Sequence, residues 1–322
     1  MKFLVTGAAG YIGSFMAKRL LDDGHEVVII DSLERGYSEK LDKRANFLQG
    51  NLMDKNFVHS VFEANKFDGV IHFAAVISMG ESMQNPFLYF QNNISGSLVL
   101  VEEATNAGVK KFIFSSTAGV YGNPIKTPIP EDHPKNPENP YGESKLMVER
   151  ILEWYRKIKG LNFVILRYFN ACGASLDGKM GESHNPESHI IPNVLSSIKS
   201  KKTFLLFGND YKTPDGTCVR DYIHVLDLVE AHVLALSKLD KTDSGFVYNV
   251  GTGNGFSNQQ IIDKAKEVTG MDLDVKVVER RPGDADTLVA DVSKIKAELG
   301  FTPKYSDLTT IIKSAWDWEN TK

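Results

Sequence analysis

Gly7-Ala8-Ala9-Gly10-Tyr11-Ile12-Gly13 directly follows the apolar run Lys2–Thr6 (KFLVT) near the start of this 322-residue chain. The run predicts a buried strand, and Tyr11–Asp23, with apolar residues at helical spacing, predicts a helix. Glycines at such a junction permit a tight turn, close approach of a pyrophosphate to the backbone, and close helix–strand packing. The helix N-terminus would supply N–H groups and a positive dipole to the phosphates. The stretch therefore predicts a dinucleotide-binding turn in a Rossmann-type sheet.

Asp31 follows the next predicted strand, Glu26–Ile30, and comes 18 residues after Gly13. A carboxylate at this place accepts hydrogen bonds from both ribose hydroxyls and repels a 2′-phosphate, which favours NAD over NADP. Arg35 weakens that preference, because a guanidinium can pair with such a phosphate. We predict NAD as the cofactor.

Apolar runs alternate with amphipathic segments through the first half of the chain. This alternation predicts an α/β fold with a Rossmann-type doubly wound parallel sheet, covered by helices on both faces. Further strands are predicted at 46–50, 69–73, 111–115 and 162–168, and further helices at 54–65, 86–106 and 140–159.

The pattern changes near Ala171, where a long polar loop (173–188) begins. We predict an NAD-binding Rossmann domain over 1–172, with a returning segment at about 223–250. A smaller mixed α/β domain over 173–222 and 251–322 would bind the substrate. In this smaller domain, helices are predicted at 190–200, 257–269 and 307–319 and a strand at 203–207. In the returning segment, a helix is predicted at 225–238 and a strand at 245–250.

The composition excludes several classes of protein. Lys plus Arg number 37 and Asp plus Glu 41, so the net charge of −4 creates no field that would attract nucleic acid. The hydrophobic content of 42% excludes wholesale disorder. The two cysteines, Cys172 and Cys218, form no CxxC pair, and no apolar run suits a signal peptide or a membrane helix. We therefore expect a cytoplasmic protein without nucleic-acid or membrane partners.

Tyr141 and Lys145 lie four residues apart (YGESK) at the start of a predicted helix, and hence on one face of it. A phenol titrates near about 10, but a neighbouring ammonium and a cationic nicotinamide both favour the phenolate. Ser116 and Thr117 end a predicted strand, so that one of their hydroxyls can hydrogen-bond the reacting oxygen. This combination predicts acid–base chemistry coupled to hydride transfer.

Taken together, these motifs resemble those of the extended short-chain dehydrogenase/reductases, and most closely those members that invert C4 of a UDP-hexose. The resemblance covers nearly the full length. It rests on VIHFAA (70–75), GES (80–82), KFIFSS (111–116), VYG (120–122), NPYGESKLMVE (139–149), LRYFNACGA (166–174), FGNDY (207–211), DGTCVRDYIHVLDL (215–228), YNVGTG (248–253) and RRPGD (280–284).

The resemblance implies a role for individual residues. Tyr141 would be the acid and base, Lys145 its partner and a ligand of the nicotinamide ribose, and Thr117 the hydroxyl at the sugar oxygen. Besides Tyr141 and Lys145, the implied NAD ligands are Gly7, Gly10, Tyr11, Ile12, Gly13, Asp31, Asn51, Leu52, Phe73, Ala74, Ala75, Asn92, Ser115 and Tyr168. Besides Thr117, the implied UDP-sugar ligands are Asn170, His189, Ile190, Leu205, Phe207, Arg220, Arg281, Asp284 and Leu288.

Three positions depart from the family pattern. Ile77 stands where the family often carries a lysine, so one cofactor contact would be missing. His189 stands where many members have asparagine. Leu288 stands where a bulky aromatic side chain excludes an N-acetyl group and a small one admits it. Leucine is intermediate in size, which predicts weaker but measurable activity on N-acetylated UDP-hexoses.

Two other patterns have simpler interpretations. His184 and His189 suggest a metal, but no third ligand is evident nearby in the sequence, so no metal site is predicted. The apolar stripe Phe87/Phe90/Ile94/Leu98/Val101 is most simply core. The family resemblance adds the alternative of a homodimer interface, built from this helix and the 140–159 helix.

The resemblance implies NAD-dependent interconversion of UDP-galactose and UDP-glucose through a transient 4-keto sugar. One alternative is a nucleotide-sugar 4,6-dehydratase or decarboxylase. Those enzymes carry acidic residues in strings such as TDEVYG, whereas this chain reads TAGVYG at 117–122 and lacks those proton carriers. The other is a non-catalytic NAD-binding regulatory subunit, which would not need Tyr141, Lys145 and Thr117 intact.

Overall fold

The computed structural model describes residues 1–281 and 284–321, so that Pro282 and Gly283 of the RRPGD string lie outside the described residues. The chain divides into two units. Unit 1 comprises Met1–Gly122, Pro134–Tyr168 and Val229–Tyr248, and unit 2 comprises Asn123–His133, Phe169–Leu228 and Asn249–Lys322.

Seven strands form the central sheet in the order β10-β6-β5-β4-β1-β2-β3, and β1 to β6 pair in parallel. This confirms the predicted Rossmann-type topology. The strands of the sheet are β1 (Lys2–Thr6), β2 (Glu26–Asp31), β3 (Asn46–Gln49), β4 (Gly69–His72), β5 (Phe112–Thr117), β6 (Phe163–Tyr168) and β10 (Gly245–Val250).

Helices connect the strands of the sheet and continue through the second half. The predicted helix over 86–106 is present, but a π-helical turn at Phe90–Ser95 interrupts it. The α-helices are α1 (Tyr11–Asp22), α2 (Lys55–Ala64), α3 (Met79–Gln84), α4 (Pro86–Tyr89), α5 (Gly96–Asn106), α6 (Pro140–Lys159), α7 (Ile190–Ser200), α8 (Val225–Leu239), α9 (Asn258–Thr269), α10 (Ser293–Leu299) and α11 (Leu308–Glu319).

The core of unit 1 lies where helices α2, α5 and α6 cover the sheet. Val70, Phe112 and Ile165 from the strands are fully buried there, together with Leu100 of α5 and Leu152 of α6. Strands of this kind are apolar nearly throughout, because a parallel sheet is buried on both faces. That is why the sequence pattern identifies them.

Unit 2 is built on two small sheets. In the larger sheet, β9 (Val219–His224) pairs with β7 (Asn170–Cys172), β11 (Gly255–Ser257) and β13 (Thr287–Leu288). In the smaller sheet, β8 (Phe204–Phe207) pairs in parallel with β12 (Val275–Val278). Helices α7, α9 and α11 bury their apolar faces in one cluster.

The boundaries of the units differ from the predicted domain boundaries in short segments. Residues 123–133 belong to unit 2, because the Ile129 N–H donates to the carbonyl of Val289 at 2.8 Å and the Ile129 carbonyl accepts from Asn249. Residues 169–172 also belong to unit 2, since β7 pairs with β9. The segment that returns to unit 1 begins at Val229. The assignment of a function to each domain stays a prediction.

The interpretation of the 87–101 stripe as core is wrong at Phe87 and Leu98, while Phe90 and Ile94 are partly buried. Phe87 is 70% exposed and Leu98 is 41% exposed, whereas Val101 is fully buried. The helix therefore carries an apolar surface that unit 1 leaves uncovered.

No helix among the described residues is both long and apolar enough to cross a membrane.

Candidate active site

The glycine turn between β1 and α1 has the geometry that a pyrophosphate site needs. Gly7 has φ +76°, and a Cβ atom there would lie 2.5 Å from the backbone nitrogen of Ala74. At Gly13 a Cβ atom would lie 2.4 Å from the Gly7 carbonyl oxygen. Gly10 precedes α1 and has no side chain with which to cap it. The start of α1 is thus built to present backbone N–H groups to an anion, which fits NAD.

Asp31 is held at the end of β2 by two backbone N–H groups, from Ala9 at 3.0 Å and Leu33 at 2.9 Å. Arg35, the residue that weakened the preference for NAD, is engaged elsewhere. Its guanidinium makes two hydrogen bonds to the Glu81 carboxylate, at 2.6 and 2.9 Å. Glu81 also accepts a hydrogen bond from Tyr89 at 2.8 Å. A buried carboxylate and a paired guanidinium both favour NAD over NADP.

A neutral histidine fixes the end of β4, just before the predicted NAD ligands Phe73, Ala74 and Ala75. His72 is buried, with Nδ1 2.7 Å from Thr6 Oγ1 and Nε2 2.8 Å from Ser97 Oγ. Burial lowers the pKa of His72 to about 3. Its two ring nitrogens therefore tie β4 to β1 and to α5 without carrying a charge.

Asn93, which the sequence analysis missed, anchors the loop after β4. Its side chain accepts from the Val76 N–H at 2.9 Å and donates to the Val76 carbonyl at 3.0 Å. It also donates to Ser144 Oγ on α6 at 3.0 Å, and the neighbouring Asn92 donates to it at 3.1 Å. Its role follows from its burial and from the π-helical turn, neither of which a sequence pattern contains, so no local signal marked it.

The start of α6 brings Tyr141 to Thr117. Asn139 caps the helix by accepting from the Gly142 N–H at 2.9 Å. The Thr117 and Tyr141 side chains form a hydrogen bond. Because Thr117 Oγ1 already accepts from the Gly119 N–H at 3.0 Å, its own proton is available to the tyrosine oxygen or to a substrate oxygen.

Lys145 lies one turn along α6 and is buried. Its ammonium donates to the Ser115 carbonyl at 2.8 Å and lies 4.9 Å from the centre of the Phe114 ring. Burial lowers the pKa of Lys145 to about 7 and raises the pKa of Tyr141 to about 12, the latter opposed by the Thr117 hydrogen bond. In the chain alone, burial therefore outweighs the expected lowering of the tyrosine pKa, which leaves the nicotinamide charge to provide it.

Ser116 and Thr117 prove to have different surroundings. Ser116 Oγ donates to Glu149 at 2.6 Å, and Glu149 forms a buried ion pair with Arg167 at 2.7 Å. Ser116 is thus part of a structural network, and Thr117 is the hydroxyl that contacts Tyr141.

Ser115 contacts another predicted NAD ligand. Its side chain is hydrogen-bonded to Tyr168, whose hydroxyl lies 2.5 Å from His232 Nε2 on α8. The His232 ring also lies 5.0 Å from the Phe73 ring. His232 therefore positions two predicted NAD ligands, a role that the sequence analysis did not assign to it.

In unit 2, two of the predicted substrate arginines contact other predicted ligands. The Arg220 guanidinium lies 3.1 Å from Asp284, and Arg281 stacks 4.2 Å from the centre of the Phe207 ring. Tyr211, which was not singled out, links these pairs, because its hydroxyl donates to the Phe207 carbonyl at 3.3 Å and lies 3.4 Å from Asp284.

The other predicted substrate ligands lie on neighbouring elements of unit 2. Asn170 on β7 donates to the Asp221 carbonyl at 3.0 Å, and Leu288 on β13 is the register partner of Arg220. Leu205 is exposed on β8. Ile190 is the first residue of α7, directly after His189.

His189 is held by two carboxylates. Its Nδ1 lies 2.8 Å from Glu182 and 3.0 Å from Glu187. The Glu182 carboxylate raises the pKa of His189 well above its usual range. These contacts leave His189 hydrogen-bonded on the loop directly before α7.

Residues 3–251 match the model of the NAD dependent epimerase/dehydratase family. The chain belongs to this family. A match over most of the chain agrees with the glycine turn, Asp31 and the Tyr141–Lys145 pair described above. NAD is accordingly the cofactor of this epimerase/dehydratase family member.

Individual relatives are similar to the whole of this family member. A UDP-glucose 4-epimerase of Lactobacillus helveticus is 46% identical over 319 residues, which cover 99% of this chain and 97% of the relative. A crystal structure of UDP-glucose 4-epimerase from Brucella ovis in complex with NAD has a TM-score of 0.94 at 40% identity, covering 98% of this chain and 97% of that one.

A third relative differs in its stated substrates. The structure of the UDP-Glc/GlcNAc 4-epimerase from Campylobacter jejuni has a TM-score of 0.87 at 41% identity, covering 100% of this chain and 99% of that one. Relatives of this family member thus include epimerases named for plain and for N-acetylated sugars.

Proposed function

We propose that the chain is an NAD-dependent epimerase that interconverts UDP-galactose and UDP-glucose through a transient 4-keto sugar. One observation supports the proposal most strongly. The hydroxyls of Thr117 and Tyr141 are hydrogen-bonded, one helical turn before the buried Lys145, in a member of an NAD-dependent epimerase family. The UDP-glucose 4-epimerases that match nearly the whole chain support the same reaction.

The residues of unit 1 fit NAD. The Gly7–Gly13 turn and the start of α1 suit the pyrophosphate, and Asp31 suits the adenosine ribose. Lys145 and Tyr168 would lie near the nicotinamide end, as the resemblance to the family implies. NAD supplies a hydride acceptor that can return the hydride to the sugar, so no net reduction is required.

Proton transfer falls to Tyr141, with Thr117 as a hydrogen-bond donor. Tyr141 removes the proton of the C4 hydroxyl and later returns it, so that its phenol acts first as base and then as acid. Thr117 does not lose its proton: its hydroxyl donates a hydrogen bond to whichever oxygen carries the developing negative charge, while Oγ1 accepts from the Gly119 N–H. Thr117 is buried and Tyr141 is partly exposed, so the tyrosine oxygen can be reached by a substrate.

Unit 2 would hold the UDP part of the substrate while the sugar turns over. Arg220 and Arg281 supply guanidiniums suited to a diphosphate, and Phe207 supplies an aromatic face. Asp284 positions Arg220, and Tyr211 holds the segment around Phe207. Asn170, His189, Ile190, Leu205 and Leu288 complete the proposed substrate ligands.

The dehydratase and decarboxylase alternatives are less well supported. Ala118 and Gly119 occupy the positions of the acidic residues in those enzymes, and neither can carry a proton. A Cβ atom at Gly142 would lie 2.7 Å from the Gly119 carbonyl oxygen, so the turn at 118–121 packs tightly against α6. Elimination would require a proton carrier that this turn does not provide.

The decisive experiment incubates the purified chain with UDP-galactose and measures UDP-glucose with a UDP-glucose-specific dehydrogenase. NADH is measured first, in the reaction before the dehydrogenase is added, and UDP-glucose afterwards in the quenched sample. We expect formation of UDP-glucose with no net NADH in the first measurement, since each cycle returns the hydride. Formation of a 4-keto-6-deoxy sugar, or stoichiometric NADH, would contradict the epimerase. Absence of any turnover with NAD bound would favour the regulatory subunit.

Assembly as a homodimer is part of the proposal. Its support is the exposed apolar surface of neighbouring helices: Phe87 and Leu98 on the 86–106 segment, and Trp154 (60% exposed) and Ile158 (69% exposed) on α6. Monomers rarely leave large apolar side chains grouped in this way. Light scattering after gel filtration should give the mass of a dimer. Trp154→Glu should give a monomer, whereas Ile125→Glu, a change at an 83% exposed residue outside these helices, should not.

The cytoplasmic location also stays a proposal. Both cysteines are free and buried, which suits a reducing compartment. Fractionation of the source cells with an antibody against the chain tests it.

A further inference from the structure

Four side chains with metal-ligating groups meet in the loop before α7. They are Glu182, His184, Glu187 and His189, and one ligand atom from each lies within 4.8 Å of all the others. We call them the Glu182–His189 cluster. The sequence offered only two histidines, too few ligands to predict a metal site. The structure adds the carboxylates of Glu182 and Glu187 as a third and a fourth potential ligand.

The distances within the cluster are short, but hydrogen bonds account for only some of them. His189 Nδ1 lies 2.8 Å from Glu182 and 3.0 Å from Glu187. His184 Nδ1 lies 3.1 Å from Glu182 and 3.7 Å from Glu187. Yet this nitrogen is buried and makes no hydrogen bond of normal geometry. His184 Nδ1 is thus a buried polar atom that lies beside two carboxylates and is left unsatisfied by hydrogen bonds.

This spacing suits a shared ion. Bonds of about 2.0–2.2 Å to a tetrahedral Zn²⁺ place neighbouring ligand atoms about 3.3 Å apart. The four histidine–carboxylate separations of 2.8, 3.0, 3.1 and 3.7 Å lie around that value, and one ligand atom from each residue lies within 4.8 Å of all the others. Two neutral imidazoles and two carboxylates carry a charge of −2, which a divalent cation neutralises.

The surrounding structure holds the glutamates in place. Glu182 is buried, and its backbone carbonyl accepts from Trp318 Nε1 on α11 at 2.8 Å. The Glu187 carboxylate accepts from the N–H groups of Ser188 at 2.8 Å and His189 at 2.9 Å. Such secondary contacts orient ligands at metal sites and are needed for tight binding.

We propose that the Glu182–His189 cluster binds a divalent transition-metal ion, with two imidazoles and two carboxylates as ligands. Imidazole nitrogen favours Zn²⁺ and its neighbours in the transition series over Mg²⁺ and Ca²⁺. The ion would join the loop to the first turn of α7, because His189 immediately precedes Ile190. We assign the ion a structural role: it would hold the segment that carries the proposed substrate ligand His189, and none of its own ligands is Tyr141, Lys145 or Thr117.

The test uses the full-length, NAD-loaded chain after treatment with a chelator and gel filtration. Zn²⁺ affinity is measured by competition with a chromophoric chelator, and bound metal is counted by mass spectrometry. The variants are His184→Ala and Glu187→Gln, which spare the proposed substrate ligand His189. The control is His59→Ala. His59 Nδ1 lies 2.8 Å from Glu103 and Nε2 3.4 Å from Glu63, so its ring also faces two carboxylates, but they do not converge.

We expect one Zn²⁺ per chain in the wild type and in His59→Ala, with a rise in Tm on adding Zn²⁺ and none on adding Mg²⁺. Each cluster variant should weaken Zn²⁺ binding by at least about 10- to 100-fold, because loss of an outer-shell contact alone has an effect of that size and these variants alter proposed ligands. Equal binding by the wild type and both cluster variants would overturn the proposal, as would substoichiometric binding by the wild type.

A second measurement keeps the test valid if a variant fails to fold. Co²⁺ added to the wild type should give visible bands of the intensity typical of four-coordinate sites, and excess Zn²⁺ should remove them. A weak spectrum of six-coordinate Co²⁺ would contradict the proposed ligand set. Epimerase activity is not the readout, so that failure here leaves the proposed reaction untouched.

Discussion

Leu288 and Arg220 lie side by side as register partners in the parallel pair of β13 and β9. Arg220 also contacts Asp284 at 3.1 Å, so that three of the proposed substrate ligands are adjacent in unit 2. If Arg220 binds the substrate as proposed, Leu288 lies beside a substrate ligand. This adjacency is the structural basis for expecting this residue to influence which sugar is accepted.

Substitution of Leu288 should change the acceptance of N-acetylated sugars. Extra atoms in a packed pocket cost about 1–3 kcal/mol, or roughly 5- to 150-fold in rate. Leu288→Ser should therefore raise, and Leu288→Tyr abolish, turnover of UDP-GlcNAc, with kcat/KM for UDP-glucose little changed. Both sugars are assayed on each variant. Unaltered UDP-GlcNAc turnover in Leu288→Tyr would show that this residue does not set the specificity.

Tyr141→Phe should abolish most of the activity while leaving the fold intact. The change removes the phenolic oxygen and its hydrogen bond to Thr117 but little volume. Loss of general acid–base catalysis typically lowers kcat by about 10²–10⁴-fold. The matched control is Tyr155→Phe, which removes a phenol bonded to Glu102 at 2.8 Å on the same helix. Near-normal turnover in Tyr141→Phe would exclude it as the proton carrier.

Cofactor choice should depend on Asp31 and on the pairing of Arg35. Asp31→Asn keeps an acceptor for the Ala9 or Leu33 N–H but removes the charge that repels a 2′-phosphate. Adding Glu81→Gln weakens the two bonds that hold Arg35 and frees its guanidinium. Binding of NAD and NADP to cofactor-free protein, followed by fluorescence, should show the preference for NAD falling in Asp31→Asn and falling further in the double variant. If the ratio of NAD affinity to NADP affinity is unchanged in both variants, these residues do not determine cofactor choice.

Acidification should destabilise the chain through His72. Burial lowers the pKa of His72 to about 3, whereas the unfolded residue titrates near about 6.5. The unfolded state therefore binds a proton that the folded state does not, and stability falls as the pH drops below about 6.5. Between about pH 7 and pH 5 this residue should account for a loss of about 2 kcal/mol.

Urea unfolding of the wild type and His72→Gln at both pH values checks this sign. His72→Gln should be less stable near neutral pH, because it disturbs the bonds to Thr6 and Ser97, but its stability should fall less on acidification. A parallel fall in the two proteins would assign the acid sensitivity to other groups.

The sequence predicted most of unit 1, because its elements are long and clearly bounded. Helix α6 was predicted with its observed limits, since Asn139 and Pro140 begin it and Gly160, at φ +75°, ends it. Unit 2 was predicted less completely. Strand β9 mixes charged and apolar residues, and β11 and β13 have three and two residues, which is too short for any periodicity.

In the candidate site, the sequence revealed features that depend on local spacing and missed those that depend on tertiary contacts. The spacing of Tyr141 and Lys145 is a local pattern, so the sequence revealed the pair. The choice between Ser116 and Thr117 depends on Glu149, which is 33 residues away from Ser116 along the chain. The direction of the Tyr141 pKa shift depends on burial, which a motif does not contain. Burial likewise determines that Asn93 holds the loop after β4.

Strand β10 is synthesised long after β6, the strand with which it pairs. Six strands of the large sheet are complete by Tyr168, but β10, the neighbour of β6, comes only at Gly245–Val250. During synthesis, β6 is therefore an unprotected sheet edge while roughly 80 further residues are added. Exposed edges of this kind pair with other chains. Nascent or truncated chains ending near residue 170 should therefore depend on chaperones to avoid aggregation.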